Sequence, residues 1–247
     1  NTSDVFFHCA GENRSKKSKD FKISNIDLTK KIVSLLNTKK DKTYLIYTST
    51  KQVSNKKKTI YSSSKLKAEH VIKKELNKKH KNTILRLPNI FGKWCKPNYN
   101  SVVATFCHNI ARGLPIKIND PGITLELAYI DDVVEIIYRC CNKPATVDEN
   151  FDKYNPSPSR SFAPHRIFNV GNGNPAEILE FIQILESRIG INAIKEFMPI
   201  QPGDVEATEA DNSRIYDWTG FKPKIKLNDG LTLFVKWYLK YYKKGKT

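Results

Sequence analysis

Between residues 4 and 92 the chain alternates between two hydrophobic periods, and this alternation restricts its possible folds more than any other feature. Asp4-Val5-Phe6-Phe7-His8-Cys9 is a short apolar run that ends at a natural turn, Ala10-Gly11. From Asn25 to Leu36, Ile26, Leu28, Ile32, Val33, Leu35 and Leu36 fall at amphipathic helical spacing, with Asn25 as the cap. A β-like run at Tyr44–Tyr47 follows, then a helix over 62–79, a strand at Thr83–Leu87 and a turn at Pro88–Gly92. Strand, helix, strand, helix, strand with short connections predicts a parallel α/β sheet. Ligands of such sheets gather at the carboxyl ends of the strands. Ala10-Gly11, the hydroxyl cluster Thr48-Ser49-Thr50 and Pro88-Asn89 all fall there.

Past Trp94 the pattern changes. A helix is expected over 100–112, short strands at Leu114–Ile118 and Leu125–Ile130, and a helix Val133–Cys141 capped by Asp131-Asp132. Residues 145–164 are rich in Pro, Ser, Asn and Asp and read as a long loop. A strand at His165–Val170, a helix at Ala176–Ile189, the segment Ile194–Met198, a loop through Gln201-Pro202-Gly203-Asp204 and an amphipathic helix Leu231–Tyr242 complete the chain. This texture divides the 247 residues into a first domain, 1–113, and a second, 114–247, with 125–142 able to pack back on the first.

Charge narrows the classes of partner. The formal net charge is +17, but the lysine pairs and runs lie in loops, on helix backs and at the C-terminus. They form no single stripe interleaved with aromatics, so no nucleic-acid partner is expected. Such a surface would favour an anionic small molecule. No apolar run approaches the roughly 18 residues of a membrane span, and no secretory leader pattern opens the chain. Cys9, Cys95, Cys107, Cys140 and Cys141 are odd in number and lack metal-ligand spacing. They read as reduced thiols of a cytoplasmic protein without a zinc site.

The chemistry-bearing residues open the second helix. Tyr61 and Lys65 are four apart and share a helical face. An ammonium there can lower a phenol's pKa from about 10 and make tyrosine a proton donor or acceptor near neutral pH. Thr48-Ser49-Thr50 could hydrogen-bond the oxygen on which Tyr61 works, or could be no more than a solvated strand end. A dinucleotide-binding sheet should also open with strand, Gly-x-Gly-x-x-Gly and helix, and the simplest reading puts that loop upstream of Asn1. The near match Gly171-Asn172-Gly173-Asn174-Pro175-Ala176 carries a proline where a donor is wanted, and reads as an ordinary helix start with Pro175 at its first position.

Together, Phe7–Gly11, Thr48–Thr50, Tyr61/Lys65 and Arg86–Gly92 resemble the extended short-chain dehydrogenase/reductase superfamily. The stretch from Arg86 through Ser101 to Ile110 resembles the reductase domain of capsular-polysaccharide UDP-acetamido-dideoxy-talose synthases, a likeness that covers about residues 1–140. Ser161–Asn172, Met198–Val205 and Thr219–Pro223 resemble the tail of UDP-glucuronate 4-epimerases. The two likenesses meet near Tyr129–Glu135, a motif both families use.

The resemblance implies a Rossmann-like parallel sheet lacking its first strands, a smaller mixed α/β substrate-binding domain, NAD or NADP as cofactor and a UDP-sugar as substrate. It implies Tyr61 as acid/base, Lys65 as its pKa modulator and Thr50 as the hydroxyl partner. Ala10, Gly11, Thr48, Leu87 and Pro88 would join Tyr61 and Lys65 around the cofactor. Asn89, Asn100, Pro115, Ile116, Ile118, Gln201 and Asp204 would hold the sugar nucleotide, Pro115, Ile116 and Ile118 against uracil. By analogy the helices at 25–36 and 62–79 would form a homodimer.

Blander readings stand beside these. Ile116 and Ile118 alternate as in any half-buried strand, and Asp204 after Pro-Gly suits a turn. Many epimerases of this group place an arginine where Leu125 stands here, so diphosphate charge would fall to Lys96, Arg112 or Lys117. Three activities stay open: a UDP-sugar 4-epimerase working through a 4-keto intermediate, an NADPH-dependent reductase of a 4-keto UDP-sugar, and a non-catalytic relic.

Overall fold

The structure, a computed structural model, describes residues 4–155, 161–198 and 211–243. In chain order these form β1 (Val5–His8), α1 (Ser18–Phe21), a π-helical turn (Lys22–Asp27), α2 (Leu28–Thr38), β2 (Tyr44–Thr50), α3 (Ile60–Glu75), β3 (Lys81–Leu87), β4 (Asn89–Phe91), α4 (Val102–Ile110), β5 (Ile116–Ile118), β6 (Thr124–Leu125), β7 (Leu127–Tyr129) and α5 (Ile130–Asn142). After 145–164, where no described residue is helix or strand, come β8 (His165–Asn169), β9 (Ala176–Glu177), α6 (Ile178–Ile189), β10 (Lys195–Phe197), α7 (Ser213–Thr219) and α8 (Leu227–Lys243). No helix among the described residues is long and apolar enough to cross a membrane.

Two compact units result, both discontinuous in sequence, where a boundary at 113 with 125–142 able to pack back on the first domain was expected. The first holds Asn1–Pro88, Glu135–Val170 and Ala210–Lys222; the second holds Asn89–Val134, Gly171–Glu209 and Pro223–Thr247. The division follows strand pairing. Asn89–Phe91, expected as a turn, is a strand that pairs with Leu127–Tyr129, so the second unit starts at residue 89.

The first unit is built on the expected parallel sheet, in the order β1-β2-β3-β8. Side chains that alternate along a strand point to opposite faces. Leu45, Tyr47 and Ile84 therefore pack with Val33, Leu36, Ala68, Val71 and Ile72 of α2 and α3. Tyr44, Ile46 and Leu85 pack instead with Ile136, Cys140, Phe168, Ile215 and Trp218. Both faces of the central strands are covered, as parallel sheets require. β1 lies at the edge of the sheet, with Phe6 and Phe7 38% and 47% exposed.

The second unit gathers α4, α6, α8 and the short strands around Phe91, Val103, Phe106, Ile110, Phe181, Leu185, Phe234 and Tyr238. Gly230 inside α8 has a packing reason: a Cβ there would stand 2.8 Å from Phe91 Cζ. The near match to a phosphate loop is also structural. Ala176-Glu177 forms a strand antiparallel to β6, and α6 starts at Ile178, so Pro175 precedes a strand and is not the helix's first residue.

Other expectations are corrected locally. Asn25 caps no helix; it is fully buried inside the π-helical turn. Asp131 and Asp132 lie within the first turn of α5 rather than ahead of it. Asp132 accepts hydrogen bonds from the backbone N–H groups of Lys224 (3.0 Å) and Ile225 (2.9 Å), and Asp131 pairs with Lys93.

Candidate active site

The strand β2 does not stop at Tyr47 but runs on through all three hydroxyls to Thr50, because β3 continues beside it in register, Ser49 facing Arg86 and Thr50 facing Leu87. β-branched threonines suit such an extension. The helix α3 starts sharply. Thr59 Oγ1 accepts from the Ser62 N–H at 3.1 Å, and the Thr59 N–H donates to Ser62 Oγ at 3.0 Å. This reciprocal cap satisfies two otherwise orphaned donors and sets Tyr61 in the first turn with Lys65 one turn on.

Tyr61 and Thr50 are neighbours, close enough for the threonine hydroxyl to favour the ionised phenol and pull its pKa down. Lys65 is 5% exposed, donates from Nζ to the Thr48 carbonyl at 2.7 Å and lies 4.2 Å from the centre of the Tyr47 ring. Among the described residues that carbonyl is the one hydrogen-bond partner of the ammonium, which leaves two donors for a ligand. The electrostatics differ from the expectation that Lys65 acidifies Tyr61. Burial is the dominant influence on the phenol and raises its pKa, with the Thr50 hydroxyl opposing it. Burial likewise pulls the Lys65 ammonium down to about 8, against the carboxylate of Glu69.

Behind this pair lies a buried framework that sequence reading missed. Asn25 Oδ1 accepts from the Glu12 N–H at 2.8 Å, while Nδ2 donates to the Glu12 carbonyl at 2.9 Å and to Ser64 Oγ at 2.8 Å. Ser64 Oγ in turn donates to the Tyr61 carbonyl at 2.7 Å. Asn25 thus ties the turn after β1 to the first turns of α3. Gly11 is part of the fit, since a Cβ on it would come within 2.6 Å of Asn25 Oδ1. Thr29 Oγ1 donates to the Asn25 carbonyl at 2.6 Å, so the 2.8 Å contact with His8 must use a protonated Nε2. Among the described residues His8 Nδ1 is buried without a partner, and burial, then the charge of Lys65, lowers the histidine's pKa to about 4.

A second missed group is an ion pair. Glu69, four residues after Lys65, takes the Arg86 guanidinium at 3.1 and 2.7 Å and the Ser49 hydroxyl at 2.6 Å. The spacing Lys65–Glu69 was the available signal. Of the remaining cofactor candidates, Ala10 and Gly11 are exposed after β1, while Leu87 and Pro88 are half-buried at the end of β3.

The described substrate candidates all belong to the second unit. Asn89, Asn100 and Pro115 are exposed. Ile116 and Ile118 are 0% exposed within the core, so of the three residues expected against uracil only Pro115 offers surface. Arg112, a candidate for diphosphate charge, donates to the Tyr238 hydroxyl; Lys96 and Lys117 are exposed. Gln201 and Asp204 lie outside the described residues. No cluster able to hold a metal ion occurs among the described residues.

Known proteins resemble this chain in sequence and fold. The family model described as the NAD dependent epimerase/dehydratase family matches residues 1–171. Protein CapI of Staphylococcus aureus is 35% identical over 163 residues, 66% of this chain and 48% of its own length. The UDP-2-acetamido-2,6-beta-L-arabino-hexul-4-ose reductase of Pseudomonas aeruginosa is 45% identical over 136 residues, 53% of this chain and 35% of that one. The chain thus spans about half the length of CapI, or less in the case of the reductase. Among solved structures, the UDP-glucuronic acid 4-epimerase of Bacillus cereus in complex with UDP-glucuronic acid and NAD superposes with a TM-score of 0.78 at 22% identity, covering 97% of this chain and 76% of that one.

Proposed function

We propose, for a chain that belongs to the NAD dependent epimerase/dehydratase family, that it remodels C4 of a UDP-sugar by oxidation and reduction, acting as a 4-epimerase. The observation that carries this reading is the meeting of Tyr61 with Thr50 at the end of β2, with the buried Lys65 ammonium one helical turn away.

The residues suit the nicotinamide-ribose end of such a cofactor. Two unused donors on a buried ammonium fit ribose hydroxyls. The exposed backbone at Ala10-Gly11 and the strand end Leu87-Pro88 would flank it. When bound, the cofactor supplies hydride acceptance and return. The chain supplies the proton. In its phenolate form Tyr61, beside Thr50, would take the proton of the C4 hydroxyl as that carbon is oxidised and, then a phenol, return it to the C4 oxygen when the carbonyl is reduced from its other face. Asn89, Asn100 and Pro115 are the substrate candidates with open surface. UDP-glucuronate is the first substrate to try, since a curated UDP-glucuronate 4-epimerase of Rhizobium meliloti, described as probable, is 33% identical over 168 residues.

The reductase reading has its own support. The relative with the higher identity is a reductase, and burial holds the Tyr61 phenol in its proton-donating form. One experiment separates the two. The purified chain, incubated with NAD and UDP-glucuronate, should yield the C4 epimer by NMR without net cofactor consumption. Stoichiometric NADPH oxidation with a 4-keto UDP-sugar, and no epimer, would replace the epimerase reading with the reductase one. Neither product would refute both.

A further inference from the structure

We propose that Glu69 is the positioning residue of this site: it locks α3 in register against the ends of β2 and β3 and so seats the Lys65 ammonium on the Thr48 carbonyl. This rests on Tyr61 and Lys65 being the working pair proposed above.

Three side chains one helical turn apart meet three successive residues of one strand. Tyr61 meets Thr50, Lys65 meets Thr48 and Glu69 meets Ser49. Only the third contact reaches a further strand. Glu69 is 2% exposed and spreads three hydrogen bonds over its two oxygens, from Ser49 Oγ and Arg86 Nε onto Oε1 and from Arg86 Nη2 onto Oε2. Ser49 and Arg86 face each other across the β2–β3 pairing. A sliding or rotating α3 would break all three bonds, and breaking a buried pair is costly. Planar, two-pronged contact with a guanidinium adds the directional constraint that a lysine partner would not.

Charge works with geometry. Lys65 faces His8 and Cys9 from β1 and its following turn, the Thr48 carbonyl and the Tyr47 ring from β2, and Glu69 from its own helix, and Arg86 pairs with Glu69. Burial works against the ammonium and the Glu69 carboxylate supports it.

The test titrates Lys65 by heteronuclear NMR in the full chain with labelled lysines, its signal assigned by its loss in Lys65→Met. In Glu69→Gln the midpoint should fall by about one pH unit, with the circular dichroism spectrum retained. A folded Glu69→Gln protein whose Lys65 midpoint stays put overturns the proposal, because a merely structural glutamate would leave that midpoint alone. Should the single variant fail to fold around its unpaired guanidinium, Glu69→Gln combined with Arg86→Gln removes both charges. A downward shift is expected there too, smaller than in the single variant because loss of the guanidinium charge offsets part of the lost carboxylate. An unmoved midpoint in a folded Glu69→Gln single variant remains the result that overturns the proposal. The readout needs neither cofactor nor turnover, so a chain that epimerises nothing would count against the proposed activity and leave this assignment standing.

Discussion

Asn25 pairs with Glu12 much as one strand pairs with another, its carboxamide taking the backbone N–H at 2.8 Å and giving to the carbonyl at 2.9 Å. An asparagine amide is the side chain that reproduces both halves of a peptide group. Spent in this way, it holds the turn after β1 in a shape that the backbone alone could not complete.

Replacing it should therefore be expensive. Asn25→Ala leaves both Glu12 groups and Ser64 without that partner and should cost about 2–4 kcal/mol of stability, read as a lower urea midpoint. Asn25→Asp keeps the acceptor but loses both donations, and should remain well below the parent chain. A midpoint within error of the parent for both variants would show that the turn holds itself.

At the site, Tyr61→Phe removes the hydroxyl and keeps the ring beside Phe21, 6.4 Å away between centroids. Turnover of whichever C4 reaction the chain performs should drop by about a hundred- to ten-thousand-fold, the usual worth of a positioned acid/base, with the melting temperature nearly unchanged. Activity that survives Tyr61→Phe would move the proton chemistry elsewhere.

Acid should loosen the first unit through His8. Its pKa in the folded chain is lowered to about 4 from 6.5, so the unfolded chain binds the proton first as pH falls. Stability is whole above about pH 6.5, declines below it, and the loss is complete near the folded value of about 4. The full effect is on the order of 3 kcal/mol for the 2.5-unit difference between these two values. His165 moves in the same direction, also to about 4, so His8→Gln should flatten only part of the slope. Urea unfolding measured between pH 7 and 4 in both chains is the check; identical slopes would exclude His8.

In the second unit the sensitive position is Gly230. Alanine normally favours a helix by about 1 kcal/mol over glycine. Here the new methyl would press on Phe91 Cζ at 2.8 Å and on Tyr129 at 3.2 Å. Gly230→Ala should destabilise by about 1–3 kcal/mol despite its better propensity. A stabilised Gly230→Ala protein would mean that Phe91 can step aside.

Much of the fold was legible because its signals are local. The alternation of strand and helix before residue 92 depends on side-chain periods only a few residues long, and the pairing of Tyr61 with Lys65 on one helix face needs no more than the helix repeat. The nearness of Thr50 to Tyr61 has the same local origin: only the nine residues 51–59 join the strand end to the helix start. Asn25 was misread because a polar residue before an apolar run looks like a cap, and nothing nearby reveals that Ser64, 39 residues on, accepts its second hydrogen bond.

The amino-acid order by itself determined that this chain makes a parallel α/β sheet and brings a phenol and an ammonium to the carboxyl end of one strand, since both follow from periodicity along a few turns. Tertiary structure alone decided that Glu69 closes on Ser49 and Arg86, 20 and 17 residues away. It also decided that Ile116 and Ile118 turn into a core rather than toward a ligand, and that burial rather than the neighbouring ammonium governs the Tyr61 phenol. The physical reason is common to all three: desolvation and long-range pairing depend on which distant segments exclude water, a property of the packed chain that no short stretch of residues carries.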